Sequence, residues 1–207
     1  MKYVDLPPEE ELLPVIDSKS HIILGAENRK KVHQTGLHHG HINVWIPGTK
    51  DGTVYKQIKA KSHGKADATI GGHISCTEGE IMELLWRPIS YLGPTTAVRE
   101  WKEETGLGFT KDDNTPLGSS SETWEAPHPT SGSWNNGIVI AYVLNRRVAL
   151  EEILGNVERE NGLDFEEVSI EELLGLTKKD EAKYLGKLLG VPYKPILHAL
   201  REHMKQI

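Results

Sequence analysis

The chain has 207 residues, 37% of them hydrophobic, which is enough to bury one main core but hardly two full domains. Its formal net charge of -6 argues against a nucleic-acid partner, because such a partner needs a basic surface that neutralises phosphates. The single cysteine, Cys76, excludes an intramolecular disulfide and a multi-thiolate zinc site, and we expect it to be a small buried side chain.

Residues 1–10 contain Pro7-Pro8 followed by glutamates, a composition that predicts an N-terminal tail. They lack the apolar core of a signal peptide, and no apolar run in the chain approaches the length of a membrane span. We therefore expect a cytoplasmic protein with no membrane partner. Residues 12–17 and 21–24 are predicted strands. The basic cluster that follows includes Arg29, which is a candidate to hold a substrate phosphate or, equally well, part of a solvated loop.

Residues 38–46 carry the clearest strand pattern, because apolar Ile42, Val44 and Ile46 alternate with residues able to line a site. A hairpin turn at Asp51-Gly52 then predicts a returning strand over 53–58. Beyond this strand, Lys59 and Lys61 are further candidates to hold substrate phosphates. A solvated basic face explains these two lysines equally well.

The pair Gly71-Gly72 follows another short apolar run and allows close approach of the backbone to an ion or a phosphate. Residues 79–94 are predicted to form a short helix and a connection, which either packs on the domain or acts as a lid or a self-association patch. Exposure of Leu84, Leu85 and Trp86 would favour a homodimer.

The next predicted helix is capped by Thr95 or Thr96 and ends at Gly106. On this helix Glu100, Glu103 and Glu104 share one face, because they stand at i, i+3 and i+4. Three like charges so close together indicate a divalent cation, or else a solvated face on which Arg99 pairs with Glu103.

Residues 110–136 are predicted to be loops, with a strand near 122–126, and 137–144 form a predicted buried strand. The rest of the chain is predicted to be helical. Its helices are expected after Ser169, from Thr177 to Gly190, and from Pro195 onward.

Residues 99–107 resemble the second half of the Nudix box, an Arg-Glu pair followed by two further glutamates, a glycine and a hydrophobic residue. Gly72 and Glu78 fit the first half, since five residues lie between them. Twenty residues then separate Glu78 from Arg99 where the family pattern has seven, which implies an insertion that lies mostly in 79–94.

This resemblance implies an α/β fold, a Nudix-type α/β/α sandwich with a mixed sheet, plus C-terminal helices. It implies a Nudix domain over 11–160 and a helical extension over 161–207 that packs on the same domain. It also implies Mg²⁺ or Mn²⁺ as the cofactor, with Arg99 orienting a glutamate. The implied metal ligands are Glu103 and Glu104, Glu100 as a ligand or the general base, and the carbonyl of Gly72.

A closer resemblance, over roughly residues 11–160, is to the isopentenyl-diphosphate isomerase branch of the Nudix family. His33, His38 and His73 match three histidines that hold a metal in that branch, and His41 lies near them in the sequence. These histidines are either a second metal site or ordinary surface and hydrogen-bonded residues.

The isomerase pattern is broken at the positions that its chemistry needs. Gly71 replaces the catalytic cysteine, and Asn135 and Gly137 replace two glutamates, so allylic proton transfer has no acid and base. The sequence therefore predicts a Mg²⁺-dependent hydrolase that cleaves a diphosphate linkage in a small organic substrate, such as a nucleoside diphosphate derivative. The alternatives are a prenyl-diphosphate isomerase and a Nudix module that binds without turnover.

Overall fold

A computed structural model describes residues 11–59, 64–122, 132–154, 163–189 and 191–207 of the chain. The predicted tail over 1–10 and the predicted phosphate contact Lys61 lie outside these residues. Within them, no helix is both long enough and apolar enough to cross a membrane. The chain divides into two compact units, which are described in turn.

The first unit consists of Met1–His41, His73–Gly93 and Ser121–Val139. Its antiparallel strands β1 (Leu12–Ile16) and β2 (Ile23–Asn28) lead into the short helix α1 (Arg29–Thr35), and α2 (Glu78–Leu84) follows later in the chain. Local sequence explains both helices. The Asn28 side chain accepts a hydrogen bond from the Lys30 N–H at the start of α1, and Thr77 and Glu80 form a capping box at the start of α2.

The second unit consists of Ile42–Gly72, Pro94–Ser120 and Ile140–Ile207. Most of the strands of a seven-stranded sheet run through it, in the order β5-β4-β3-β8-β7, with β6 paired to β3 and β9 paired to β4. The strands are β3 (His39–Pro47), β4 (Thr53–Lys59), β5 (Lys65–Ala68), β6 (Ile70–His73), β7 (Asn114–Glu122), β8 (Gly137–Leu144) and β9 (Leu163–Ser169). The helices are α3 (Gly93–Thr105), α4 (Leu150–Leu154), α5 (Ile170–Gly175), α6 (Gly186–Leu189) and α7 (Lys194–Met204). The predicted fold class, α/β with a mixed sheet and C-terminal helices, is confirmed.

Helix α3 confirms the predicted glutamate-bearing helix. It begins slightly earlier than predicted and is followed by Gly106, whose φ of 69° is the left-handed conformation that ends helices at glycine. Ser169 caps α5 as predicted, since its side chain accepts a hydrogen bond from the backbone of Glu172. The end of α3 and the start of α5 could be predicted because each depends on residues close together in the sequence.

Three predictions of secondary structure are wrong. Strand β7 (Asn114–Glu122) lies in a polar stretch with Pro and Gly that was predicted to be loop, and the strand expected near 122–126 lies, beyond residue 122, outside the described residues. The helix expected from Thr177 to Gly190 is a 3₁₀ turn at Lys178–Asp180 followed by the short α6. Strand β9 lies in a region predicted to be wholly helical, where it forms a ladder along the full length of β4.

Strand β3 also differs from its predicted pattern, because all nine of its residues are buried. The polar side chains of β3 therefore need hydrogen-bond partners within the protein, because they are shielded from water. In the second unit, the Tyr193 hydroxyl accepts hydrogen bonds from the Asn43 Nδ2 at 2.8 Å and the Trp45 Nε1 at 3.2 Å. These bonds connect β3 to the segment that leads into α7.

Candidate metal centre

Helix α3 holds the three predicted glutamate ligands in the second unit. Ala97 and Trp101 are 0% and 2% exposed, so they fix the buried side of the helix. Glu100 is also buried, whereas Glu103 is exposed and Glu104 is half-buried. The helix therefore carries its carboxylates from the edge of the core out towards solvent, as a cation site open to a substrate requires.

Gly72, at the end of the glycine pair in β6, leaves space that the Glu100 carboxylate fills. A Cβ atom added at Gly72 would lie 2.0 Å from the Glu100 Cδ and 2.3 Å from each of its carboxylate oxygens. Any larger residue would displace this carboxylate. The glycine predicted as a backbone ligand and Glu100, predicted as a ligand or the general base, are therefore in immediate proximity.

Arg99 connects two of the glutamates. Its Nη2 lies 2.7 Å from the Glu100 Oε1, and its Nη1 lies 3.2 Å from the Glu103 Oε2. The ion pair with Glu103 that a solvated helix face would have is therefore present, and the arginine also pairs with the buried Glu100. One guanidinium can orient two carboxylates through its fork of donors.

Glu104 is held from the sheet side by a residue that the sequence analysis did not select. The Gln57 Nε2 donates to the Glu104 Oε2 at 2.8 Å. Burial raises the pKa of Glu104 to about 7, and the neighbouring charge of Glu100 adds to this effect against the opposing charge of Lys59. The ionised form of Glu104 is therefore disfavoured, chiefly because the carboxylate is shielded from water.

Lys59, predicted to hold a substrate phosphate, forms an ion pair in the same unit. Its Nζ lies 3.1 Å from an oxygen of Asp67, a residue that is only 1% exposed. Burial lowers the pKa of Lys59, but the carboxylates of Asp67 and Glu104 outweigh burial and leave the pKa raised. The lysine is therefore charged and balances buried carboxylates.

The residues of this cluster fit a hard divalent cation. Carboxylate and backbone carbonyl oxygens are the ligands that Mg²⁺ and Mn²⁺ prefer. The cradle at Gly72 and the raised pKa of Glu104 both agree with a site in which a cation would offset clustered negative charge.

The first unit contains a cluster of histidines. His33, His39 and His73 each offer a ring nitrogen, and these nitrogens all lie within 4.8 Å of one another. The ring of His41 lies 4.6 Å from that of His39 and 4.5 Å from that of His73. The predicted set named His38 instead of His39. Since alternate residues of a strand share a face, His39 and His41 lie together on β3 and the half-buried His38 before it does not join the cluster.

Backbone carbonyls orient two of these rings. The His33 Nδ1 donates to the Trp134 carbonyl at 2.6 Å, and the His39 Nδ1 donates to the Leu37 carbonyl at 2.9 Å. The Nε2 atom of each ring then carries the lone pair, and the His33 Nε2 lies 3.0 Å from the His73 Nε2, within hydrogen-bond distance. Among the described residues, the buried His39 Nε2 has no hydrogen-bond partner, and burial lowers the pKa of His39 to about 4. The neutral imidazole with an available lone pair is the form of histidine that can bind a metal ion.

The remaining predicted residues have ordinary surroundings. In the first unit, Arg29 pairs with Glu11 at 2.8 Å, and burial raises the pKa of Cys76 to about 12, as suits a small buried side chain. Leu84 is buried, whereas Trp86 is 73% exposed, so only part of the predicted self-association patch is accessible. A homodimer remains a prediction.

Three residues of these clusters were not predicted from the sequence: Gln57, Asp67 and His39. Gln57 and Asp67 are direct partners across β4 and β5, which local patterns cannot reveal. The alternation of Tyr55, Gln57 and Lys59 along β4 was the available signal, since residues two apart share a face. A buried strand that places a glutamine and a lysine on one face requires polar partners there.

Comparisons with known proteins give little beyond this geometry. The chain matches no protein-family model, and no curated protein is similar to it in sequence. Among solved structures, it is similar to a C. elegans Ap4A hydrolase in a binary complex, with a TM-score of 0.43 and 12% identity. The similarity covers 81% of this chain and 98% of that chain. A likeness at this level carries no argument about family or activity.

Proposed function

We propose that this chain is a Nudix-type hydrolase that depends on Mg²⁺ or Mn²⁺ and cleaves a diphosphate linkage in a small organic substrate, such as a nucleoside diphosphate derivative. The proposal rests on one observation above all, the Glu100 carboxylate lodged against the backbone of Gly72. It places Gly72, from the first half of the motif that resembles the Nudix box, beside Glu100, from the second half, although 28 positions separate residues 72 and 100 in the sequence.

Arg99 and the glutamates of this motif on α3 have separate roles in the proposed reaction. Glu103 and Glu104 would hold the cation together with the Gly72 carbonyl, and Glu100 would act as a further ligand or as the general base for water. Arg99 keeps Glu100 and Glu103 in place through the two contacts described above. When bound, the cation contributes neutralisation of the diphosphate charge and acidification of water.

Lys59 and Lys61 are the proposed phosphate contacts in the second unit. Lys59 already pairs with Asp67, so a substrate phosphate would share this cation with the carboxylate. A lysine can do so because it carries several donors. Arg29, the third predicted phosphate contact, lies in the first unit, where it pairs with Glu11.

Phosphate release with and without Mg²⁺ tests the hydrolase. The panel comprises nucleoside triphosphates, nucleotide sugars, dinucleotides and prenyl diphosphates, and Glu103→Gln is the control variant. We expect metal-dependent turnover of one class that the control loses. Turnover that persists in Glu103→Gln and in Glu104→Gln would refute the roles assigned to α3.

We also propose that His33, His39 and His73 hold a transition metal such as Zn²⁺, in the first unit. The support is the convergence of three ring nitrogens and the two carbonyl contacts that direct the Nε2 atoms of His33 and His39. Metal analysis of purified protein after loading and dialysis tests this site. His39→Ala should lose the metal and the neighbouring His38→Ala should keep it, whereas equal loss in both variants would count against the assignment.

A further inference from the structure

Gln57 is a buried polar residue that connects the sheet to the ligand-bearing helix. Its side chain is 0% exposed, and its Nε2 donates to the Glu104 Oε2 at 2.8 Å. Its Oε1 is buried and, within the part of the chain that the structure describes, has no hydrogen-bond partner. The amide nitrogen is thus directed at a proposed metal ligand, and among the described residues nothing donates to the amide oxygen.

A buried acceptor without a hydrogen bond, such as the Gln57 Oε1, destabilises a protein, so a glutamine at this position is expected to serve some other purpose. Its cross-strand neighbours do not supply one. Phe165 on β9 is apolar, and Asp67 on β5 is an acceptor that is already paired with Lys59. An apolar side chain of similar length would fill the same space without leaving a polar atom unpaired.

The charge around Glu104 supplies the reason. Glu104 adjoins Glu100, and like charges on adjacent turns of α3 repel each other. A carboxylate under such repulsion has alternative rotamers that point away, and holding it in the cluster requires a donor. The Gln57 amide is that donor, and it carries no charge that would compete with a cation.

We propose that Gln57 is a positioning residue of the metal centre. Its Nε2 holds the Glu104 carboxylate in the orientation that binds the cation, and its Oε1 accepts a hydrogen bond from water that enters with the cation. This inference rests on the function proposed above, because it assumes that Glu104 is a ligand. The proposed metal centre then includes a residue of β4 in addition to the ligands on α3 and β6.

Binding of Mn²⁺, measured by the loss of the free-ion signal in electron paramagnetic resonance, tests the assignment. Gln57→Met keeps the length of the side chain and removes both polar groups. Since removal of a group that orients a metal ligand typically weakens metal affinity about 10- to 100-fold, we expect a loss in that range. Tyr55→Phe is the matched control. It removes a buried hydrogen bond from the same strand, the 3.1 Å bond to the Val148 carbonyl, and should bind Mn²⁺ as the wild type does.

The outcomes separate this inference from the proposed function. If Gln57→Met binds Mn²⁺ like the wild type while Glu104→Gln does not, the positioning role is overturned and the metal centre stands. If the wild type fails to bind Mn²⁺, both are overturned.

A second variant covers the case in which Gln57→Met does not fold. Gln57→Asn retains an amide that is one methylene too short to reach Glu104, so it should also bind Mn²⁺ more weakly than the wild type. Wild-type affinity in Gln57→Asn would overturn the role. Thermal unfolding in a chelator, recorded for every variant, separates a loss of stability from a loss of positioning.

Discussion

Glu104 should destabilise the metal-free protein, and its replacement by glutamine should reverse this effect. The pKa of Glu104 is raised from its ordinary value of 4.5 to about 7, chiefly by burial. A difference of about 2.5 pH units corresponds to roughly 3 kcal/mol of unfavourable free energy when the group is ionised, at about 1.4 kcal/mol per unit. Glu104→Gln removes this penalty and retains a side chain that can accept the hydrogen bond from Gln57.

The sign of the pH dependence follows from proton binding. Between pH 4.5 and about 7 the folded protein holds a proton on Glu104 that the unfolded chain has released. The stability of the wild type therefore falls as the pH rises through this window. The penalty is absent below about pH 4.5 and complete above about pH 7, so Glu104→Gln should match the wild type at low pH and exceed it at high pH.

Urea unfolding in a chelator, at about pH 4.5 and about pH 8, measures the effect. We expect Glu104→Gln to gain up to about 3 kcal/mol at the higher pH. Added Mg²⁺ should then stabilise the wild type and not the variant, because ligand binding stabilises only the protein that binds it. Glu103→Gln is the matched control, since its side chain is 45% exposed and its neutralisation should change the stability of the metal-free protein by less than about 0.5 kcal/mol. A stability difference between Glu104→Gln and the wild type that is independent of pH would refute the reasoning.

Two further substitutions test other contacts. Gly72→Ala should displace the Glu100 carboxylate, whose Cδ would lie 2.0 Å from the new Cβ, so a thermal shift assay should show an intact fold that Mg²⁺ no longer stabilises. An unchanged response to Mg²⁺ would show that the cradle is dispensable. Tyr193→Phe should lower the free energy of unfolding by about 1–3 kcal/mol, because the Asn43 Nδ2 and the Trp45 Nε1 lose a buried acceptor. Urea unfolding measures this loss, and a loss below about 0.5 kcal/mol would mean that another acceptor replaces the hydroxyl.

Features that depend on neighbours in the chain could be predicted from the sequence. The face shared by the glutamates of α3 follows from the helical period, and the end of the helix follows from the backbone freedom of Gly106. The approach of Gly72 to the glutamates was expected only through the resemblance of two short motifs, because nothing local connects residues so far apart.

Contacts between distant strands were decided by the tertiary structure. The ladder between β4 and β9 recruits a stretch predicted to be helical, and the pairing of β4 with β5 sets Gln57 opposite Asp67. The histidine cluster depends on the phase of β3, which presents His39 and not the adjacent His38. A shift of one residue in a strand reverses the face of every side chain, and strand phase is set by partners that lie far away in the sequence. The chain thus determined by itself which chemical groups were available, and strand pairing determined which of them meet.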